Sequence, residues 1–307
     1  MPAARRRVPT SIVLALMLGV AGCAGDTADA AGPLVAATPW PLAWLVKAIA
    51  PAADIRGLGA ASQDPHELDL APGDQELLQR ADLVIHVGDV DFQPQVERAA
   101  ARRAGPVVAL ADAASSFVLP VAHDASRREE RETAVDPHLW FDARTLAAAA
   151  PEIAEALSVR DPRNAAAYRS RAATTAAALR GLHQQVAAML AGCRVRTAVV
   201  SHAAFAYLLV PHGLAQLSVS DGTGHGDVAP GRLAELAATV RDQGLSAVLA
   251  EPVEGRDAAL TLAREAGVAV RDVDPLENPP AAAQALGYPA LLRRQAAAFA
   301  DVLECAG

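Results

Sequence analysis

The sequence predicts an α/β protein of two lobes, each built on a parallel sheet, joined by one long stiff helix. Three observations carry that expectation. Apolar runs of strand length alternate with helix-length segments in the first half of the chain, the same alternation restarts after residue 192, and a single continuous helical stripe lies between them. Alternation of strand and helix calls for parallel sheets, because each parallel pair needs a crossover and the crossovers cover the sheet faces. The chain has 307 residues, 52% of them hydrophobic, so a sizeable core is available. Aromatics make up only 4%, which leaves most of the packing to Ala, Val and Leu.

Taken in order, the chain opens with Arg5, Arg6 and Arg7, followed by an apolar stretch from Val8 to Val20 interrupted by Pro9, Thr10 and Ser11. A short positive segment before a short apolar one is the pattern of a secretory signal. The apolar run is too short for a mature membrane helix, which takes about 20 residues. It ends Val20-Ala21-Gly22-Cys23, an arrangement that resembles a bacterial lipobox, in which cleavage frees the Cys23 amine and the thiol carries diacylglycerol. The alternative is an ordinary signal peptide with an incidental cysteine. Both place the mature protein outside the cytoplasm. Residues 1–22 are thus expected to be a signal and 23–32, small and polar, a tether.

The N-terminal lobe is expected over 33–160. Leu34 to Thr38 reads as a strand, followed by a helix through Trp44, Leu45 and Ile49; Ala81 to Gly88 and Val107 to Leu110 are further buried-type strands. Residues 123–135 are charged and lack apolar periodicity, as a solvated loop would. Asp161-Pro162 then offers an N-cap with proline at the first helical position. Tyr168, Ala172, Thr175, Leu179, Leu182, Val186 and Met189 recur at spacings of three and four, one helical stripe. At 1.5 Å per residue the helix would run roughly 40 Å before Gly192 stops it. As a connection over 161–191 it is a stiff hinge; the alternative is a long helix packed within one domain. The C-terminal lobe, 192–307, repeats the alternation with strands at Arg196–Ser201, Leu217–Ser220, Ala247–Ala250 and Val268–Val273, and helices at Pro230–Asp242 and Asp257–Ala266.

With Cys23 assigned to lipid, Cys193 and Cys305 remain. An oxidising compartment permits them to pair, tying the last helix to the C-terminal lobe; two buried free thiols are the alternative. The net charge of −8 argues against nucleic-acid binding, which shows as a basic face.

Four positions carry chemistry, two in each half. His66 lies in Asp64-Pro65-His66-Glu67, His138 in Asp136-Pro137-His138, His202 directly after the strand TAVVS, and Asp274 at the end of the strand VAVRDV. His202 and Asp274 occupy carboxyl ends of parallel strands, where α/β proteins hold ligands. Proline before His66 and before His138 fixes the local backbone and lowers the entropy cost of ordering each imidazole. Three imidazoles and one carboxylate form a nitrogen-rich set that suits four-coordinate zinc, whereas manganese favours more oxygen. Glu67, Asp142 and Glu251 are candidates to orient the ligand imidazoles from outside. The spacing matches no short-range metal motif, and no HExxH or paired-metal signature of a metallohydrolase is present. Among the other histidines, His86 reads as a core residue, His183 as helix surface, His212 as part of a turn, His123 as loop, and His225 as lining the cleft mouth.

The segments DPHELDLAPGDQELLQRADLVIHVGDVDF, DPHLWFD, SHAAFAYLLVPHGL, GHGDVAPGRLAEL, AEPVEG and DVDPL, in that order, resemble the ligand blocks of the zinc/manganese (ZnuA-like) class of ABC-importer binding lipoproteins. The resemblance covers nearly all of the chain from about Leu34. It implies two Rossmann-like lobes, a long backbone helix and a metal in the cleft between lobes. It implies His66, His138, His202 and Asp274 as ligands, with water or another carboxylate as the alternative in fourth place, and the histidine at 202 pointing to zinc, since manganese-type members usually carry glutamate there. It further implies a monomeric, high-affinity, extracytoplasmic capture protein. Such a protein is no enzyme; it is lipid-anchored on the periplasmic or outer side and delivers its ion to an ABC permease. A manganese-specific protein of the same class and a metal-stabilised adhesin are the alternatives. One departure stands out: the loop before the second D-P-H has a single histidine, His123, where many zinc-type members are histidine-rich.

Overall fold

A computed structural model describes residues 32–59, 65–66, 68–120, 135–220, 228–252 and 254–306. Residues 1–31, with Cys23 and all of the tether but residue 32, and Glu67, His123 and His225 lie outside the described residues. Residues 31–307 form one compact unit.

The N-terminal half runs β1 (Leu34–Ala37), α1 (Trp40–Ile49), β2 (Asp54–Arg56), α2 (Pro72–Arg80), β3 (Leu83–His86), α3 (Pro94–Ala101), β4 (Val107–Ala109) and α4 (Leu110–Ala113). Its four strands are all parallel, in the order β2-β1-β3-β4. Alternate residues go to opposite faces. Val35, Ala37, Leu83 and Ile85 join the main core, whereas Ala36 and Val84 pack with Leu77, Leu78, Val96 and Ala100 of α2 and α3 in a smaller second core. Both faces are therefore covered, as a parallel sheet requires. Strand β2 is an exposed edge with one apolar residue in three, which is why no apolar run betrays it.

A 3₁₀ turn at Leu139–Phe141 leads into α5 (Ala143–Arg160), capped by Asp142, whose carboxylate accepts the Arg144 N–H at 2.9 Å. This 18-residue helix is absent from the sequence reading; Pro151 within it breaks the pattern a helix normally shows, and the residue sits on the exposed side. A 3₁₀ turn at Pro162–Asn164 then opens the linking helix α6 (Ala165–Met189), which packs along α5. Its buried stripe is Tyr168, Ala172, Ala176, Leu179, Leu182 and Val186; Ala176 takes the place read for Thr175.

The C-terminal half repeats the design with β5 (Thr197–Val200), α7 (Ala206–Leu209), β6 (Ala215–Ser218), α8 (Pro230–Gln243), β7 (Ala247–Ala250), α9 (Arg256–Ala266), β8 (Ala269–Asp272), α10 (Ala281–Gln284) and α11 (Tyr288–Val302). Its parallel order, β6-β5-β7-β8, mirrors the first sheet. Strands β5 and β7 are its buried centre, and β8 is a largely exposed edge. The chain end is knitted back to the entry of β5 by the Cys193–Cys305 disulfide and by the Arg194 and Val195 N–H groups donating to Glu304 and Leu303 carbonyls.

The main apolar core is contiguous through Leu45 and Ile49 of α1, Leu179 and Leu182 of α6, Val199 and Leu249 of the second sheet, and Leu291 and Phe299 of α11. Burial on this scale holds the two lobes and the helix together. The connection is stiff for that reason as well as for its helical geometry. No helix among the described residues is long and apolar enough to cross a membrane.

Candidate metal centre between the lobes

In both sheets the strand order reverses beside the first strand of the half, and the loops leaving the carboxyl ends there form a crevice. His66, between β2 and α2, His138, in the turn before α5, and His202, directly after β5, come to one place. His66, His138 and His202 each offer a ring nitrogen, all within 4.8 Å of one another, and their ring centroids lie 5.0–5.4 Å apart.

His66 follows Pro65, whose carbonyl accepts from Gln93 Nε2 at 3.1 Å; Gln93 Oε1 in turn accepts from the Thr38 hydroxyl at the end of β1. Phe92 meets the ring edge-on at 4.7 Å. His138 is held more rigidly. Asp136 Oδ1 accepts its backbone N–H at 2.9 Å and faces its Nδ1 at 2.8 Å, so the D-P-H turn presents Nε2 to the cleft. Asp136 is fixed from the other lobe, because Tyr207 donates its hydroxyl to the Asp136 carbonyl and accepts the Leu119 N–H. His202 follows Ser201, whose Oγ accepts the Glu251 N–H at 3.0 Å and so ties the ends of β5 and β7. Gly255, at the start of α9, has φ +63°, and a Cβ there would meet the Ser201 carbonyl oxygen at 2.8 Å. Only glycine lets α9 approach so closely. The approach carries Glu254 to the ring: His202 Nδ1 lies 3.3 Å from Glu251 Oε1 and 3.2 Å from Glu254 Oε2.

Glu277 is the carboxylate that reaches the other two imidazoles. Its Oε1 lies 3.3 Å from His66 Nε2 and 3.5 Å from His138 Nε2. Asp274, the position read from the sequence, caps a turn: its Oδ1 accepts the Leu276 N–H at 2.7 Å. The turn it caps places Leu276 in a left-handed conformation, φ +62°, with its side chain fully buried. That reversal aims Glu277 inward. Trp140 Nε1 donating to Pro275 O and Trp40 N–H donating to Glu277 O hold the turn against the N-terminal half. Glu277 lies three residues beyond Asp274 in DPLE; that adjacency was the only signal for it, and the turn's geometry is invisible in sequence.

The outer carboxylates also sort themselves. Glu251 stands beside His202. Asp142 caps α5, is clamped by Arg144 and faces His183 at 3.2 Å, so it orients no cleft imidazole; Asp136 does that for His138. His86 is buried in β3, with its pKa lowered to about 4 by burial.

In the cleft the charge of each group sets the protonation of its neighbours. Burial opposes protonation of His138, but Asp136 and Glu277 outweigh it and raise its pKa to about 10. Burial likewise opposes, and Glu277 outweighs, at His66, whose pKa is raised. Glu277 itself is held at about 2 by the two imidazoles despite its burial. His202 is lowered to about 4, first by burial and then by the His138 charge. Burial, then the charge on Glu277, pushes the Glu251 carboxyl well above the usual range. Among the described residues, His138 Nε2, His202 Nδ1 and the Oε1 atoms of Glu251 and Glu277 are buried without a hydrogen bond. Buried polar atoms left so are costly unless something else satisfies them.

Two parallel α/β lobes on one linking helix, with imidazoles from both meeting between them, define a bilobal binding protein with a rigid helical backbone. The chain belongs to the zinc-uptake complex component A (periplasmic) family, whose model matches residues 35–302. It is 26% identical over 239 residues to zinc-binding protein AdcA of Streptococcus pyogenes, covering 73% of this chain and 46% of that one. The chain thus spans about half the length of the curated relatives it matches. Among solved structures it resembles ZnuA (TM-score 0.75, 22% identity, 89% of this chain and 99% of that one). It also resembles the periplasmic zinc-binding protein TroA of Treponema pallidum (0.74, 21%, 89% and 99%).

Proposed function

We propose that this protein captures zinc as cargo, using His66, His138, His202 and Glu277 as its ligands, and hands the ion to an ABC permease. The observation that carries the reading is the spacing at Glu277. Zinc–nitrogen and zinc–oxygen bonds of about 2.0–2.1 Å at tetrahedral angles set ligand atoms roughly 3.3–3.4 Å apart. Glu277 Oε1 stands at 3.3 and 3.5 Å from two imidazole nitrogens. The third imidazole supports zinc over manganese, which favours oxygen. A fourth protein ligand leaves no open position for a catalytic water, so the site suits capture and not hydrolysis. The Arg-rich start, the apolar run and Cys23 support export and lipid anchoring, and one relative of this chain is named a zinc-binding lipoprotein. The anchor, the tether over 23–32 and the monomeric state belong to the same reading.

The test is metal content and competitive zinc–manganese titration of the full chain beside His202→Ala. One tightly held zinc per chain, not displaced by manganese and weakened at least about 100-fold in the variant, is expected, since even an outer-shell loss costs 10–100-fold. An unaffected variant, or no stoichiometric metal, overturns the proposal.

A further inference from the structure

Two histidines that the cleft does not use meet elsewhere. His183, midway along α6, and His212, at the end of the 3₁₀ turn Val210–His212, are 29 positions apart in sequence, yet their ring centroids lie 5.6 Å apart with planes inclined by 32°. That separation is close to the 5.0–5.4 Å of the three imidazole pairs in the cleft. Both rings are partly exposed, so an ion from solvent can reach them.

Each ring is carried on a fixed support. His183 stands on a continuous helix, and Asp142 Oδ1 faces its Nδ1 at 3.2 Å. A carboxylate on one ring nitrogen favours the tautomer whose other nitrogen has a free lone pair. The Asp142 side chain is buried and clamped by Arg144 through contacts of 2.6–3.1 Å, so it cannot swing away. The Asp142–Arg144 pair is neutral as a unit and leaves no uncompensated charge beside the rings. His212 is held by its turn: Arg196 Nη2 donates to the carbonyls of His212 and Gly213, and Gly213, at φ +67°, closes the reversal.

We propose that His183 and His212 form a second divalent-metal site, separate from the cleft. It lies at the seam between the linking helix and the C-terminal half and takes a borderline transition ion, zinc or copper(II). Two imidazoles with water completing the coordination suit such ions and not the oxygen-seeking magnesium or calcium. With half the protein ligands of the cleft set, the site fills only after the cleft is loaded. An ion there bridges α6 to the turn after α7.

The experiment loads the full chain with one equivalent of zinc and then titrates more zinc by calorimetry, beside the double variant His183→Gln, His212→Gln. A second, weaker event is expected in the parent and is lost in the double variant, while the first event stays unchanged. Absence of a second event in the parent overturns the site, as does a second event that survives in the double variant. Copper(II) added to the zinc-loaded parent gives an independent reading that needs no substitution. Nitrogen splitting from two imidazoles in its electron paramagnetic resonance spectrum is expected, and an oxygen-only spectrum overturns the assignment.

Discussion

Replacing Glu277 by Gln, beside Asp274→Asn, separates the carboxylate that meets the imidazoles from the one that shapes the turn. Gln keeps the size of Glu277 but removes the charge 3.3 and 3.5 Å from His66 and His138. Loss of an outer-shell partner already costs 10–100-fold in metal affinity, so loss of a direct ligand should cost at least about 100-fold, roughly 2.7 kcal/mol. A second effect opposes the first. Glu277 helps hold the His138 pKa up to about 10, so in the parent an incoming ion must expel a proton; without Glu277 that competition weakens. The gap between parent and variant should therefore be smallest at acid pH and widen as pH rises. In Asp274→Asn the amide oxygen can still accept the Leu276 N–H, and affinity should stay within about threefold of the parent, less than 1 kcal/mol. Competition against a fluorescent zinc chelator from about pH 6 to about pH 8, the range of imidazole titration, measures all three proteins. Equal losses in the two variants, or a Glu277→Gln protein as tight as the parent, would refute the assignment of Glu277.

The other expectations concern pH, the approach of α9 and the covalent tie. For the parent, zinc affinity should fall about tenfold per pH unit as pH drops from about 8 to about 6, because the His138 proton must be displaced, and more steeply once His66 is protonated as well. His202, lowered to about 4, should not contribute in that range. An affinity independent of pH would contradict imidazole ligation. Gly255→Ala places a Cβ 2.8 Å from the Ser201 carbonyl at φ +63°. It should destabilise the fold by about 1–3 kcal/mol and weaken zinc binding by displacing His202, read by denaturant titration and chelator competition. Cutting the Cys193–Cys305 bond by Cys305→Ser releases a loop with sequence separation 112. The chain-entropy estimate for such a loop is about 4–5 kcal/mol, so a marked fall in melting temperature with intact zinc stoichiometry is expected.

Much of this protein was legible in its sequence because the signals are local. Apolar runs such as LVIH and AVLA, each buried at every residue, can only be strands covered on both faces, and their alternation with helices fixed a parallel arrangement in each half. The stripe from Tyr168 to Val186 marked the linking helix because a buried face must repeat with the helical period. The three cleft histidines were likewise marked locally, two by a preceding proline and one by the end of a strand. Tertiary structure decided what depends on direction instead of position. Glu277 and not Asp274 faces the imidazoles because a left-handed Leu276, held by Trp40 and Trp140 from the other half, reverses the chain between them. Asp136 and not Asp142 orients His138, since a carboxylate two residues before the ring reaches its Nδ1 whereas the one four residues after it is spent capping α5. His183 and His212 meet only because α6 lies against the turn after α7. Sequence patterns report which side chains are buried and how each segment repeats; which way a turn aims a carboxylate, and which distant segments touch, is set by packing across the whole core.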